Sequence, residues 1–76
     1  MNTMKKSIIE LKSILFIGGN IIVKSDDYTV SELKNLAFTA KSKKASILIK
    51  NASKLTTCEC KSIAFINPNY VTFDFS

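Results

Sequence analysis

The chain has 76 residues, 11 of them basic and six acidic, for a formal net charge of +5, and every basic residue is a lysine. A chain this short is one domain, 1–76, and buries only ~60% of the surface its unfolded form exposes, so it has little room for an internal active-site cavity. Its 46% apolar content, two glycines and one proline indicate a folded chain rather than a disordered one, and the lack of any histidine removes the commonest general base and metal ligand.

The first stretch, "MNTMKKSIIELKSILFIGG", opens like a secretory signal, with Lys5 and Lys6 before apolar residues. Glu10 and Lys12 interrupt the apolar run, and no small-residue cleavage pattern follows. No stretch approaches the ~20 apolar residues of a membrane span. The expectation is a cytoplasmic protein with no membrane partner.

Three segments then follow one pattern: "SIIELKSILF" (7–16), "TVSELKNLAF" (29–38) and "TTCECKSIAF" (56–65). Glu10, Glu32 and Glu59 align, as do Lys12, Lys34 and Lys61, and Phe16, Phe38 and Phe65. Ser7, Thr29 and Thr56 each stand three residues before the shared glutamate. That spacing is a capping box, in which the hydroxyl accepts from the N3 amide and the glutamate reaches back to the N-cap amide. Each segment is therefore predicted to be a helix, and capping accounts for the three glutamates better than catalysis does. Tyr28 and Leu55 precede their caps and are placed to staple onto Leu33 and Cys60. Stops are expected at Gly18-Gly19, at the lysines of 41–44 and at Asn67-Pro68.

A short strand is predicted after each helix: "NIIVKS" (20–25), "SILIKN" (46–51) and "YVTFDF" (70–75). The repeats then run over about 7–25, 28–51 and 55–76. Helices between successive strands, with no tight hairpin signal, predict parallel strands joined by right-handed crossovers. The expected fold is α/β: three αβ repeats in the order α-β-α-β-α-β, with helices on one face of a three-stranded parallel sheet, as a solenoid arc. It resembles a leucine-rich-repeat arc in these strand-then-helix units, and "ILIKNASKLT" (47–56) is similar to the strand-turn-Asn part of such a repeat. The resemblance is architectural. The alternative is a compact α+β domain with one antiparallel strand.

In the second helix Leu33, Leu36, Ala37 and Ala40 form one apolar stripe. Phe38 lies about 140° from Leu33, off that stripe. Its recurrence at 16 and 65 leads to the expectation that the rings pack as a ladder between adjacent helices, with an aromatic ligand-binding stripe as the alternative.

Catalysis is not expected. Without histidine, a Ser–His or Cys–His pair cannot be built, and Gly18-Gly19 stands outside any phosphate-binding motif. Cys58 and Cys60 are two ligands where zinc takes four, and residues two apart on a helix point about 200° apart. No metal and no cofactor are expected. Cys60 occupies the column of Leu11 and Leu33 and is predicted buried, and Cys58 partly exposed.

Strand alternation puts Ile21, Val23, Ile47, Ile49, Val71, Phe73 and Phe75 inward. The outward side carries Ile22, Leu48 and Thr72 with Tyr70 beside them, next to a polar row of Lys24, Lys50 and Asp74. An apolar strip edged by charge is a candidate contact surface, and the last strand lacks the proline or lysine that blunts an edge. The expected function is a non-catalytic protein-interaction module, binding a protein partner or itself as a homo-oligomer through that face or an edge strand. Its size and composition are those of inhibitors, immunity or antitoxin-like partners, and phage or plasmid accessory proteins. Two alternatives are a self-assembling structural repeat and a nucleic-acid-binding accessory protein, the latter resting on Lys41, Lys43, Lys44, Lys50 and Lys54. The absence of arginine weakens the nucleic-acid alternative.

Overall fold

Each helix starts on the hydroxyl that its sequence supplies. The computed structural model describes residues 6–76. In it, α1 (Ile8–Phe16), α2 (Val30–Lys41) and α3 (Thr57–Ile66) are capped by Ser7, Thr29 and Thr56, each with both halves of a capping box. In α2 the Glu32 amide donates to Thr29 Oγ1 at 3.1 Å, and the Thr29 amide donates to Glu32 Oε1 at 2.8 Å.

The helix ends also follow local chemistry. Gly18, just beyond α1, has φ +93°, a left-handed conformation that costs glycine nothing sterically. After α2, Lys44 takes φ 54°, and after α3, Asn69 takes φ 74°. Asn67 caps α3 and is buried, and its Nδ2 donates to the Ala45 carbonyl at 3.3 Å. The loop after α3 is thereby fastened to the loop after α2.

The strands β1 (Ile21–Lys24), β2 (Ile47–Lys50) and β3 (Val71–Phe73) form one sheet in the order β1-β2-β3. Both pairings are parallel, with Ile21 opposite Ile47 and Ile47 opposite Val71. This removes the alternative with an antiparallel strand. The element order and the parallel sheet are those expected, but the strands are shorter at both ends, and 3₁₀ turns follow β1 (Ser25–Asp27) and β2 (Ala52–Lys54). The sheet is not curled. Three strands at a spacing of about 4.8 Å span only about 10 Å, too little for a small rotation per repeat to accumulate.

The core lies between sheet and helices. Ile21, Val23, Ile47 and Ile49 are buried from the sheet side, and Leu15, Leu33, Leu36, Ala37, Ala40 and Ile63 from the helix side. The stripe predicted for α2 is thus fully inside. Tyr28 is buried in the same core as Leu33, and Leu55 packs against it. Burying a leucine such as Leu36 contributes about 1.5–3 kcal/mol.

Helix α2 packs between α1 and α3, and the aligned columns show how. Leu36 and Ile63 are buried, while their counterpart Ile14 is half-buried; Leu15 and Ala37 are buried, while their counterpart Ala64 is half-buried. One column therefore faces the preceding helix and the other the following one. The expected phenylalanine ladder between helices is overturned: Phe16, Phe38 and Phe65 are all exposed. Leu15 and Leu36 fill the contact between α1 and α2, and Ala37 and Ile63 that between α2 and α3, so a side chain 140° from the core stripe has no cleft to enter. Phe75, expected inward, is also exposed, because β3 ends at Phe73 and the Phe75 ring stacks on the partly buried Phe73 ring, with centroids 6.1 Å apart, beyond the end of the strand.

Candidate interaction surface

The helices cover one side of the sheet, and among the described residues the other side is open. Its rows follow from the register. Ile22 stands beside Leu48, which stands beside Thr72; Lys24 stands beside Lys50. Asp74 continues the second row, since its amide donates to the Ile49 carbonyl at 2.8 Å. Ile22, Lys24, Lys50 and Thr72 are exposed, while Leu48, Tyr70 and Asp74 are half-buried. Alternation thus places all seven candidate residues on one side of the sheet. The first row is Asn20, Ser46 and Tyr70, in which Asn20 Oδ1 accepts from the Ser46 amide at 2.7 Å.

The polar row is electrostatically organised. Asp74 is held below the usual carboxylate range, first by the Ser76 hydroxyl and amide that donate to it and then by the charge of Lys50. Beyond β1 and β2 the two 3₁₀ turns extend the row. Lys54 pairs with Asp26 at 3.4 Å, and Asn51 Nδ2 donates to Asp26 Oδ2 at 3.4 Å.

Both edges have backbone groups pointing away from the sheet. The Ile21 amide donates to Ser46, and the Ile47 amide to Tyr70. Residues alternate in direction along a strand, so Ile22 and Lys24 aim their amides and carbonyls outward at the β1 edge, as Val71 and Phe73 do at the β3 edge. The sequence did not reveal that each edge also exposes part of the helix–sheet core: Ile14 at one end, and Cys60, Ala64, Val71 and Phe73 at the other, are only partly covered. These are the same columns that are buried in the middle repeat.

Cys58 is exposed and Cys60 is half-buried, not fully buried as its column predicts. Burial pushes the Cys60 thiol up, and the neighbouring Glu59 adds to the shift. Among the described residues no three cysteine or acidic side chains group closely enough to hold a metal ion, and no helix is long and apolar enough to cross a membrane. Lys41, Lys43, Lys44, Lys50 and Lys54 are exposed, but they are divided between the two ends of the molecule. Compared with protein-family models, with curated proteins and with solved structures, the chain matches none.

Proposed function

We propose that this chain is a non-catalytic protein-interaction module that works through the open side and bare edges of its sheet, and that the partner best matched to it is another copy of itself. The observation that carries this reading is the register. Within the chain, β2 presents Leu48 and Lys50 to β1, and Ile47 and Ile49 to β3. A second copy placed with its β1 beside β3 meets the same hydrogen-bonding pattern, with Val71 opposite Ile21 and Phe73 opposite Val23. Asp74 of one copy then stands beside Lys24 of the next, extending a row in which the charge of Lys50 already favours the ionised Asp74. The partly covered Ile14 and the partly covered Ala64 meet as their counterparts do inside the chain. Such a head-to-tail contact is heterologous and open-ended, which makes the chain a repeat unit that continues across molecules in the manner of a solenoid.

Sedimentation equilibrium of the full chain tests this. Association that grows with concentration is expected. Lys24→Asp and Asp74→Lys each weaken it by setting like charges together, and the two substitutions combined restore it. A strict monomer at high micromolar concentration removes the reading.

A further inference from the structure

The three phenylalanines stand on the outer side of the helix layer, far from the open sheet. Phe16, Phe38 and Phe65 are 62%, 67% and 84% exposed, and Ile9 and Ile17 are 75% and 85% exposed. A lysine stands one turn before each ring: Lys12, Lys34 and Lys61. The grooves between helices repeat this chemistry. Lys12 and Phe16 line one with Thr39 across α1 and α2, and Lys34 lines the other with Phe65 and Ile66 across α2 and α3. Phe16 and Phe38 also share a depression with Lys41, and Lys43 Nζ lies 5.5 Å from the centre of the Phe16 ring.

Charge is sorted along the strand axis. In a parallel αβ unit, helix starts and strand ends lie at one end of the molecule. All six acids are there, Glu10, Glu32 and Glu59 in first helical turns, Asp26 and Asp27 in the turn after β1, and Asp74 after β3, and they outnumber the four described lysines at that end, Lys6, Lys24, Lys50 and Lys54. The other end, where the helices finish, holds Phe16, Ile17, Phe38, Phe65, Lys41, Lys43 and Lys44 and no acid.

We infer that this face docks on an anionic lipid bilayer. The rings and Ile17 enter the boundary between headgroups and acyl chains, and the lysines meet lipid phosphates. Lysine suits that role, because its stem lies along apolar surface while the ammonium stays in the polar layer. Single-stranded nucleic acid would use aromatic faces for stacking, but it has no use for Ile17, which is among the most exposed apolar side chains here. The lack of a spanning helix, which set the expectation of no membrane partner, bears on crossing a bilayer and not on resting against one.

Flotation of the full chain with vesicles tests the inference. Binding is expected to vesicles of equimolar phosphatidylglycerol and phosphatidylcholine, to be absent with phosphatidylcholine alone, and to weaken as salt rises. The combined variant Phe16→Ser, Phe38→Ser, Phe65→Ser should keep its circular dichroism, because the rings are outside the core, and lose about tenfold or more in affinity. Lys41→Gln, Lys43→Gln and Lys44→Gln should each cost about fivefold. Ile22→Asp, on the opposite face, should float as the unmodified chain does, which separates this inference from self-association through the sheet. Failure of the unmodified chain to float, or unchanged flotation of the phenylalanine variant, overturns the inference. So does a chain that ignores both vesicles and binds labelled oligothymidine in the same buffer.

Discussion

Ser25 Oγ donates a hydrogen bond of 2.6 Å to the carbonyl of Asn51, a residue 26 positions further along the chain. It joins the turn after β1 to the turn after β2, at the end of the molecule where the polar row of the sheet begins. Ser25 is buried, so its hydroxyl has no water to fall back on, and Ser25→Ala is expected to cost about 1 kcal/mol. The acceptor residue holds φ 57°, a conformation that costs an ordinary L-residue roughly 1–2 kcal/mol. Asn51→Ala should therefore destabilise by about 1–2 kcal/mol, and Asn51→Gly by clearly less. Lys54→Ala, which removes only the exposed ion pair to Asp26, should change stability by under about 0.5 kcal/mol. Urea denaturation of the variants gives the order directly, and equal costs for Asn51→Ala and Asn51→Gly would contradict the backbone explanation.

The buried Tyr28 predicts alkaline sensitivity. Its hydroxyl donates to the Lys6 carbonyl, and burial pushes its pKa up, with Asp27, Glu32 and Glu10 adding to the shift. A raised folded-state pKa contributes stability that is fully present below the ordinary tyrosine value of about 10 and is lost as pH rises through the folded value. Tyr28→Phe should cost about 1 kcal/mol at neutral pH for the lost hydrogen bond and should flatten the fall in stability at high pH. Melting temperature against pH for the two proteins checks this, and parallel curves would show that the alkaline loss comes from elsewhere.

Acid should loosen α1. Glu10 is lowered below the usual carboxylate range, first by the Ser7 amide, then by the charge of Lys6 and the Ser7 hydroxyl. A depressed folded-state pKa contributes stability that is present above the unfolded value and lost as pH falls through the folded one. The Ser7 half of the capping box should therefore fray below the ordinary glutamate range near pH 4. Amide exchange at Ser7 reports it, and in Glu10→Gln that exchange should lose its acid-dependent rise. At neutral pH Thr29→Ala, the equivalent cap of the central helix, should cost about 1 kcal/mol.

Helix starts, helix ends, strand order and parallel pairing were legible because each rests on local chemistry: a hydroxyl three residues before a glutamate, a glycine past the last turn, a helix between strands. Alternation alone placed Ile22, Leu48 and Thr72 on the side away from the helices. The sequence misled at Phe16, Phe38 and Phe65. Their angle to the core stripe points them outward, while their apolar character and recurrence favour a buried place. Three exposed rings at one helical position have no local signal that separates them from rings between helices. That distinction depends on how closely α1, α2 and α3 approach, which Leu15, Leu36, Ala37 and Ile63 set through tertiary packing. The turn contacts of Ser25, Asn51 and Asn67 were equally invisible, since each joins residues more than 20 positions apart.

The two cysteines should behave as different chemical species. Cys58 is exposed at the start of α3, and Cys60 is half-buried with its thiol pushed up. Only the thiolate attacks a disulfide reagent, so Cys58 should be modified first by dithionitrobenzoate at pH 8, with Cys60 following several-fold more slowly. Unfolding in urea should abolish the difference, because it has no source but position. Cys60 also fills a column held elsewhere by Leu11 and Leu33, and a thiol is smaller than an isobutyl group. Since the site is on the partly covered side of α3, added atoms meet solvent on one side and should not strain the core. Cys60→Leu is therefore expected to raise stability by about 0.5–1 kcal/mol, roughly one additional buried CH₂. A loss of stability would show that the space around position 60 is already full and that the cysteine is there for its size.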